Sequence, residues 1–260
     1  MIKKVLTIAG SDCSGGAGIQ ADIKTITAHK MYAMSAITAL TAQNTMGVFG
    51  IFEASPEFVA QQLKCIFEDI RPDAVKIGMV TNSEIIAVIA DALIKYKAEK
   101  LVVDPVMAST RGGKLLVDGA GDALKSRLFP LAAVITPNLP EAEALTGLSI
   151  KTEQDMLAAA RALADIAPCA VLIKGGHLGE SANDLLLANG EHMWFPAPRI
   201  DTENTHGTGC TLSSAIACNL AAGHTLGDSV KNAKAYITGA LTAGLDIGHG
   251  NGPLNHTYAL

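Results

Sequence analysis

Charge is scarce in this chain. Asp, Glu, Lys and Arg make up only 17% of its 260 residues, against 49% hydrophobic ones, which is enough apolar material for a large core. The 25 acidic residues outnumber the 20 basic ones, for a net charge of −5, and no basic run offsets them. That balance argues against general nucleic-acid binding, so any anion handled here is small and locally bound. Cysteine is present five times, at 13, 65, 169, 210 and 218. The odd, scattered set fits neither a disulfide framework nor a metal site and points to a reducing cytoplasm. No apolar stretch reaches transmembrane length without glycine or charge. The Lys3-Lys4 pair and the apolar run after it resemble a signal peptide only as far as Asp12, which interrupts them too early. Two common phosphate-binding fingerprints are also missing. The glycines at 15, 16 and 18 do not space as G-x-G-x-x-G, and no G-x-x-x-x-G-K-[ST] occurs. None of the seven histidines falls in an H-E-x-x-H spacing, and most read as surface or loop residues. No repeat, composition shift or Pro/Ser-rich linker divides the chain, so residues 1–260 read as one domain.

What is present is an alternation of short apolar runs and helical periods. Strands are expected at Val5–Ala9, Met34–Leu40, Val48–Phe52, Ala74–Ile77, Leu101–Val103, Ala132–Ile135 and Val171–Lys174. A hairpin of Leu185–Ala188 and His192–Phe195 closes around Asn189-Gly190. Helices are expected over Ala17–Lys30, Pro56–Ile70 with Ser55 as N-cap, Ser83–Tyr96, Pro140–Leu145, from a Thr152 cap to about Ile166, and over 209–222 and 226–244. The fold class is α/β, a mostly parallel sheet with helices on both faces. In such a sheet Gly10-Ser11-Asp12, Gly78-Met79, Asp104-Pro105, Pro137-Asn138 and Lys174-Gly175-Gly176 gather along the carboxyl edge, where ligands bind.

The segment Asn204-Thr205-His206-Gly207-Thr208-Gly209-Cys210-Thr211 runs straight into a helix. Glycines there let backbone N–H groups meet an anion, and Cys210 in the first turn is placed where a helix dipole favours a thiolate. His206 sits inside this motif as a loop-shaping or phosphate-proximal residue, with no proton-transfer role assigned. The turn Ser11 to Gly18 is open to two readings, a ligand cradle or a plain tight turn. Asp104 and Glu141 are candidates to hold Mg²⁺ through water, and Glu141 is equally placed to cap a helix with Asn138. Lys174, after an apolar strand and before two glycines, is placed to reach a nucleotide phosphate. Cys65 and Cys218 read as helical packing residues.

Taken together, these motifs resemble the bacterial hydroxymethylpyrimidine/phosphomethylpyrimidine kinases of thiamine synthesis. The likeness runs in order through Val5–Asp12, Gly15–Asp22, Thr38–Thr45, Lys76–Met79, Asp104–Met107, Thr136–Asn138 with Glu141, Lys174–His177 and Thr205–Thr211. It implies a ribokinase-like fold with a small strand flap over the substrate. It implies ATP-dependent phosphorylation of 4-amino-5-hydroxymethyl-2-methylpyrimidine to its monophosphate and then to the diphosphate, with Mg²⁺, in a homodimer. Many relatives carry aspartate where this chain has Cys210. By position, Gln43 would hydrogen-bond the aminopyrimidine and Met79 pack on its ring, with Asp12 and Gly18 also lining the substrate. Gly207, Thr208, Gly209 and Cys210 would form the anion hole. Asn138, Lys174 and Thr208 would serve ATP, and Glu141 and Asp104 the metal. Cys13 and the Ser109–Lys114 segment depart from the commonest versions.

Three other readings compete: a pyridoxal or pyridoxine kinase, a non-catalytic pyrimidine-binding protein, and a cysteine hydrolase using Cys210. Gln43 favours the aminopyrimidine, because an amide both donates and accepts. Joint retention of Asp104, Glu141, Lys174 and Cys210 favours an enzyme over a binder.

Overall fold

The computed structural model describes residues 1–107, 119–176 and 182–260. The strands are β1 (Lys4–Asp12), β2 (Tyr32–Asn44), β3 (Gly47–Glu53), β4 (Ala74–Ile77), β5 (Leu101–Val103), β6 (Val134–Ile135), β7 (Ala170–Ile173), β8 (Asp184–Ala188) and β9 (Glu191–Phe195). The helices are α1 (Gly18–Ala28), α2 (Pro56–Asp69), α3 (Ser83–Lys95), α4 (Ala120–Ala123), α5 (Leu139–Thr146), α6 (Glu153–Ile166), α7 (Thr208–Ala222) and α8 (Leu226–Thr242).

All nine strands form one sheet in the order β3-β2-β1-β4-β5-β6-β7-β8-β9. The pairs from β2 through β1, β4, β5 and β6 to β7 are parallel, and β3, β8 and β9 are antiparallel additions at the two edges. Side chains alternate between faces with period two, and the centre of the sheet is buried on both. Leu6, Ile8, Ile77 and Val103 join a core that includes Leu63 of α2, Ile89 of α3 and Leu163 of α6. Val5, Val102 and Leu172 join the opposite core with Ile26 of α1, Ile216 of α7 and Val230 of α8. Each such residue, fully buried, contributes roughly 1.5–3 kcal/mol. This double burial explains why the central strands read as continuous apolar runs rather than alternating ones.

Local signals are met where expected. The Ser55 hydroxyl accepts from the Phe58 N–H at 3.2 Å, with Pro56 in the first turn of α2. Thr152 and Asp155 form a reciprocal capping box on α6. Asn189 and Gly190 both take positive φ, 53° and 81°, as the two-residue turn between β8 and β9 requires.

Several expectations are corrected. β2 continues past Leu40 to Asn44, because its outer half pairs antiparallel with β3 and needs no continuous apolar run. Residues 120–131 form α4, a π-helical turn and a 3₁₀ turn, none of which the sequence period signalled. Cys65 is exposed, since α2 buries the Val59, Leu63, Phe67 stripe instead. His256 is buried rather than superficial. The Ser109–Lys114 segment and His177 lie outside the described residues.

Candidate active site

Five parallel strands end along one edge, and the chain leaves each of them carrying a predicted site residue. Asp12 closes β1, Met79 follows β4, Asp104 follows β5, Asn138 follows β6 and Lys174 follows β7. Asn138 and Lys174 are bridged directly by their backbones. The residues divide into two groups, with the start of α7 between them.

The first group surrounds the end of β1. Ser14, Gly16 and Ala17 turn their N–H groups onto the Asp12 carboxylate at 2.9, 3.1 and 2.9 Å, and the Ser14 hydroxyl adds a fourth bond at 2.8 Å. The tight-turn reading of this loop is therefore the one realised for these amides: they face Asp12, not a ligand. Burial alone would raise the Asp12 pKa, but bonds from His206, Ser14 and Ala17 outweigh it and hold the carboxyl at about 2. His206 Nε2 lies 2.8 Å from Asp12 Oδ2. The Gln43 carboxamide lies between His206 Nε2, at 3.2 Å, and Thr41 Oγ1, at 3.1 Å. The Cys13 thiol donates to the Gln43 carbonyl at 3.1 Å, tying the β1 loop to β2. Met79 is anchored by its carbonyl, which accepts from Thr38 Oγ1 at 2.8 Å. Its methyl lies over Gly10, where any Cβ would overlap it. Asp12, His206 and Gln43 thus meet in one cluster drawn from β1, β2 and the loop before α7, and Met79 packs on Gly10 of β1.

The second group surrounds Lys174. Its ammonium donates to Asp104 Oδ1 at 2.7 Å and stands 3.9 Å from Glu141 Oε2. Asp104 Oδ1 also accepts from Thr136 at 2.9 Å. Burial opposes the Asp104 charge, yet Lys174 and Lys76 hold its pKa below the ordinary value. Glu141 behaves otherwise: burial, helped by Asp104, pushes it up to about 7 against the pull of Lys174. Asn138 and Glu141 form a complete capping box, each backbone N–H bonded to the other side chain at 2.8 Å. The capping reading of Glu141 is thus realised, and the Met107 backbone N–H also supports its carboxylate. Among the described residues no three His, Cys, Asp or Glu side chains are grouped closely enough to hold a metal alone. Asp104 and Glu141, two buried carboxylates flanking Lys174, are oxygen donors of the kind Mg²⁺ takes alongside water and phosphate.

Between the two groups, Gly207 takes φ +87°, and a Cβ there would overlap the Gly16 carbonyl, so α7 can begin here only with glycine. Thr208 is fixed by its hydroxyl, which donates to the Thr205 carbonyl at 2.6 Å. A Cβ on Gly209 would stand 3.3 Å from both Asp104 Oδ2 and Lys174 Nζ, so this amide-rich turn touches the cationic group. The Gly18 backbone lies beside the Cys210 sulfur. Here the structure departs from expectation. Burial pushes the Cys210 thiol up to about 11, and neither Lys76 nor the Gly18 N–H brings it back to the free value. Removal from water outweighs the helix terminus, so the resting side chain is a thiol, not a thiolate.

Sequence reasoning missed the support beneath this turn. Lys76 is fully buried, and its ammonium donates to both oxygens of Asp22 at 2.9 and 2.8 Å. Asp22 also accepts from Thr7 at 2.5 Å and from Ser214 of α7 at 2.7 Å. A lysine inside an otherwise apolar strand was the one available signal.

The sequence profile of the phosphomethylpyrimidine kinases matches residues 12–255. A hydroxymethylpyrimidine/phosphomethylpyrimidine kinase of Streptomyces coelicolor is 48% identical over 256 residues, covering 98% of this chain and 95% of the relative. A bifunctional thiamine biosynthesis protein of Geobacter sulfurreducens is 51% identical over 98% of this chain, which spans 52% of that longer protein. Among solved structures, the pyridoxal kinase of Staphylococcus aureus in complex with AMP-PCP and pyridoxal superposes with a TM-score of 0.91 at 34% identity, over 99% of this chain and 95% of the other. The fold is accordingly ribokinase-like. No helix among the described residues is long and apolar enough to cross a membrane.

Proposed function

We propose, since this chain belongs to the phosphomethylpyrimidine kinase family, that it uses ATP to phosphorylate hydroxymethylpyrimidine to the monophosphate and then to the diphosphate, in thiamine biosynthesis. The observation that carries this reading is the place of the Gly207–Cys210 turn. It stands between the Asp12, His206 and Gln43 cluster on one side and the Lys174, Asp104 and Glu141 group on the other. An acceptor alcohol and a triphosphate approaching from the two sides would meet at backbone N–H groups.

Phosphoryl transfer asks mainly for positioning and charge stabilisation. Lys174 meets the phosphates as a point charge, the amides of Gly207 to Cys210 take the transferring group, and Asn138 and Thr208 border the nucleotide. Mg²⁺, when bound, neutralises the developing phosphate charge, with Glu141 and Asp104 orienting its waters. Glu141, whose buried carboxyl is poorly compensated in the free protein, is the group such a cation would suit. Gln43 hydrogen-bonds the aminopyrimidine edge and Met79 covers the ring. Gly18 borders the acceptor beside Cys210, and Cys210 stands at the acceptor hydroxyl. Only its small deprotonated fraction takes the alcohol proton at neutral pH. The second acceptor, a phosphate monoester, is largely dianionic above pH ~6 and needs no base.

Residues 1–260 act as one kinase domain in a reducing cytoplasm, where all five cysteines stay free. The enzyme works as a homodimer. The β2–β3 hairpin supports this, since it leaves Leu40, Phe49, Ile51 and Phe52 on its surface, two of them more than 70% exposed.

The test is an acceptor panel with ATP: hydroxymethylpyrimidine, its monophosphate and pyridoxal. Turnover of the first two at higher kcat/KM than pyridoxal supports the reading. A preference for pyridoxal replaces it with a vitamin B6 kinase, and ATP turnover without dependence on any of the three overturns both.

A further inference from the structure

We infer that His206 fixes which end of the Gln43 carboxamide meets the acceptor, turning the amide so that its oxygen faces His206 and its nitrogen faces Thr41. The inference rests on the acceptor pocket proposed above and assigns it a positioning residue.

The argument starts at Asp12. Its carboxylate already accepts from the Ser14, Gly16 and Ala17 N–H groups and the Ser14 hydroxyl. A carboxylate so surrounded by donors is ionised and can only accept. His206 Nε2, 2.8 Å from Asp12 Oδ2, must therefore carry the hydrogen and donate it. A protonated Nε2 has no lone pair to offer. The structure sets Gln43 Nε2 3.2 Å from it, donor against donor, and turning the amide over relieves this by bringing the oxygen there.

The other end of the amide points the same way. Thr41 has one hydroxyl hydrogen, and its Oγ1 lies 2.9 Å from the Ser11 carbonyl, which can only accept. That hydrogen is spent. With its hydrogen on Ser11, Thr41 Oγ1 meets Gln43 Oε1 at 3.1 Å, acceptor against acceptor, and the turned amide puts the NH₂ there instead. Exchanging oxygen and nitrogen leaves the shape of a carboxamide unchanged, so hydrogen-bond logic decides between the two arrangements.

In this arrangement Gln43 keeps one N–H free on the Thr41 side and one lone pair free on the His206 side. The acceptor pocket thus presents donor and acceptor in a set order. A ring with an adjacent amino group and ring nitrogen in the matching order pairs both groups; the reverse order leaves both unpaired. His206 is itself held firmly. Its backbone N–H donates to the Gly252 carbonyl at 3.0 Å, and its ring lies against Gly16. The next residue is Gly207, so the residue that orients acceptor recognition also leads into the anion hole.

The test is a double-mutant cycle on KM for hydroxymethylpyrimidine, with KM for ATP as the control. Gln43→Leu raises the acceptor KM by about 10-fold or more. His206→Met, which keeps bulk and removes the donor, raises it comparably. His206→Gln, whose amide carries an N–H near the place of Nε2, recovers most of the loss. The double variant is no worse than Gln43→Leu alone, and KM for ATP does not change. Absence of an effect of Gln43→Leu overturns the acceptor-pocket reading itself. A clear effect of Gln43→Leu with none from His206→Met, or with multiplying losses in the double variant, overturns the role of His206 alone. Should His206→Met fail to fold, long-range ¹H–¹⁵N spectra of the wild-type protein decide: hydrogen on Nε2 supports the inference, and a neutral ring protonated only at Nδ1 overturns it.

Discussion

Lys174 and Glu141 are 3.9 Å apart, yet their chemistry under this account differs, and that difference is testable. Lys174→Ala and Glu141→Gln both lower turnover with either acceptor, by removing charge compensation at the triphosphate or its metal. Raising Mg²⁺ partly restores Glu141→Gln and leaves Lys174→Ala unchanged; equal rescue of the two contradicts the assignment. Cys210 makes a pH prediction. With the thiol at about 11, the thiolate fraction grows about tenfold per pH unit below that value. If the thiolate is the base, log kcat/KM for the alcohol rises with a slope near one from pH 7 to 9. The monophosphate reaction stays nearly flat over the same range. Cys210→Asp, carrying the residue that many relatives resemble, flattens the alcohol profile. A flat wild-type profile with the alcohol means that Cys210 only positions the acceptor.

At the scale of elements, Lys76 and Asp22 tie β4 to α1, and Thr7 and Ser214 extend the tie to β1 and α7. Breaking one partner of such a buried pair typically costs about 3–5 kcal/mol, because the other is left charged and unpaired. Lys76→Met should lower unfolding stability by that amount in urea titrations, and Asp22→Leu in the same chain should recover part of it. A loss below ~1 kcal/mol would contradict the account. Nothing in the sequence marked Asp22 as that partner, since the two residues lie 54 positions apart. What was legible at this scale was local. Ser55, Thr152 and Asn189-Gly190 act through neighbours within four residues, and the apolar strands declare their own burial. The outer half of β2 and the turns over 120–131 were not legible, because their conformation is set by β3 and by helix packing rather than by their own period. The same divide holds in the site. The strand-end residues were placed by pattern alone, whereas the His206–Gln43 contact spans 163 positions and the raised Cys210 thiol comes from surrounding elements.

For the molecule as a whole, two cores on opposite faces of one nine-stranded sheet make a rigid base. The β2–β3 hairpin at its edge is the exception, a strand pair with apolar residues in water. In the proposed homodimer a second copy covers it. Sedimentation of the wild-type protein should then give twice the chain mass, and Phe49→Ser with Phe52→Ser should shift it toward the monomer. A monomeric wild-type protein at micromolar concentration contradicts the dimer without touching the chemistry. The central claim is that one site carries out two successive transfers. It is tested most directly by ³¹P NMR of a single reaction holding the protein, ATP, Mg²⁺ and hydroxymethylpyrimidine. The account predicts that the monophosphate appears first and is then consumed as the diphosphate grows. A reaction that stops at the monophosphate, or that leaves the alcohol untouched, contradicts it.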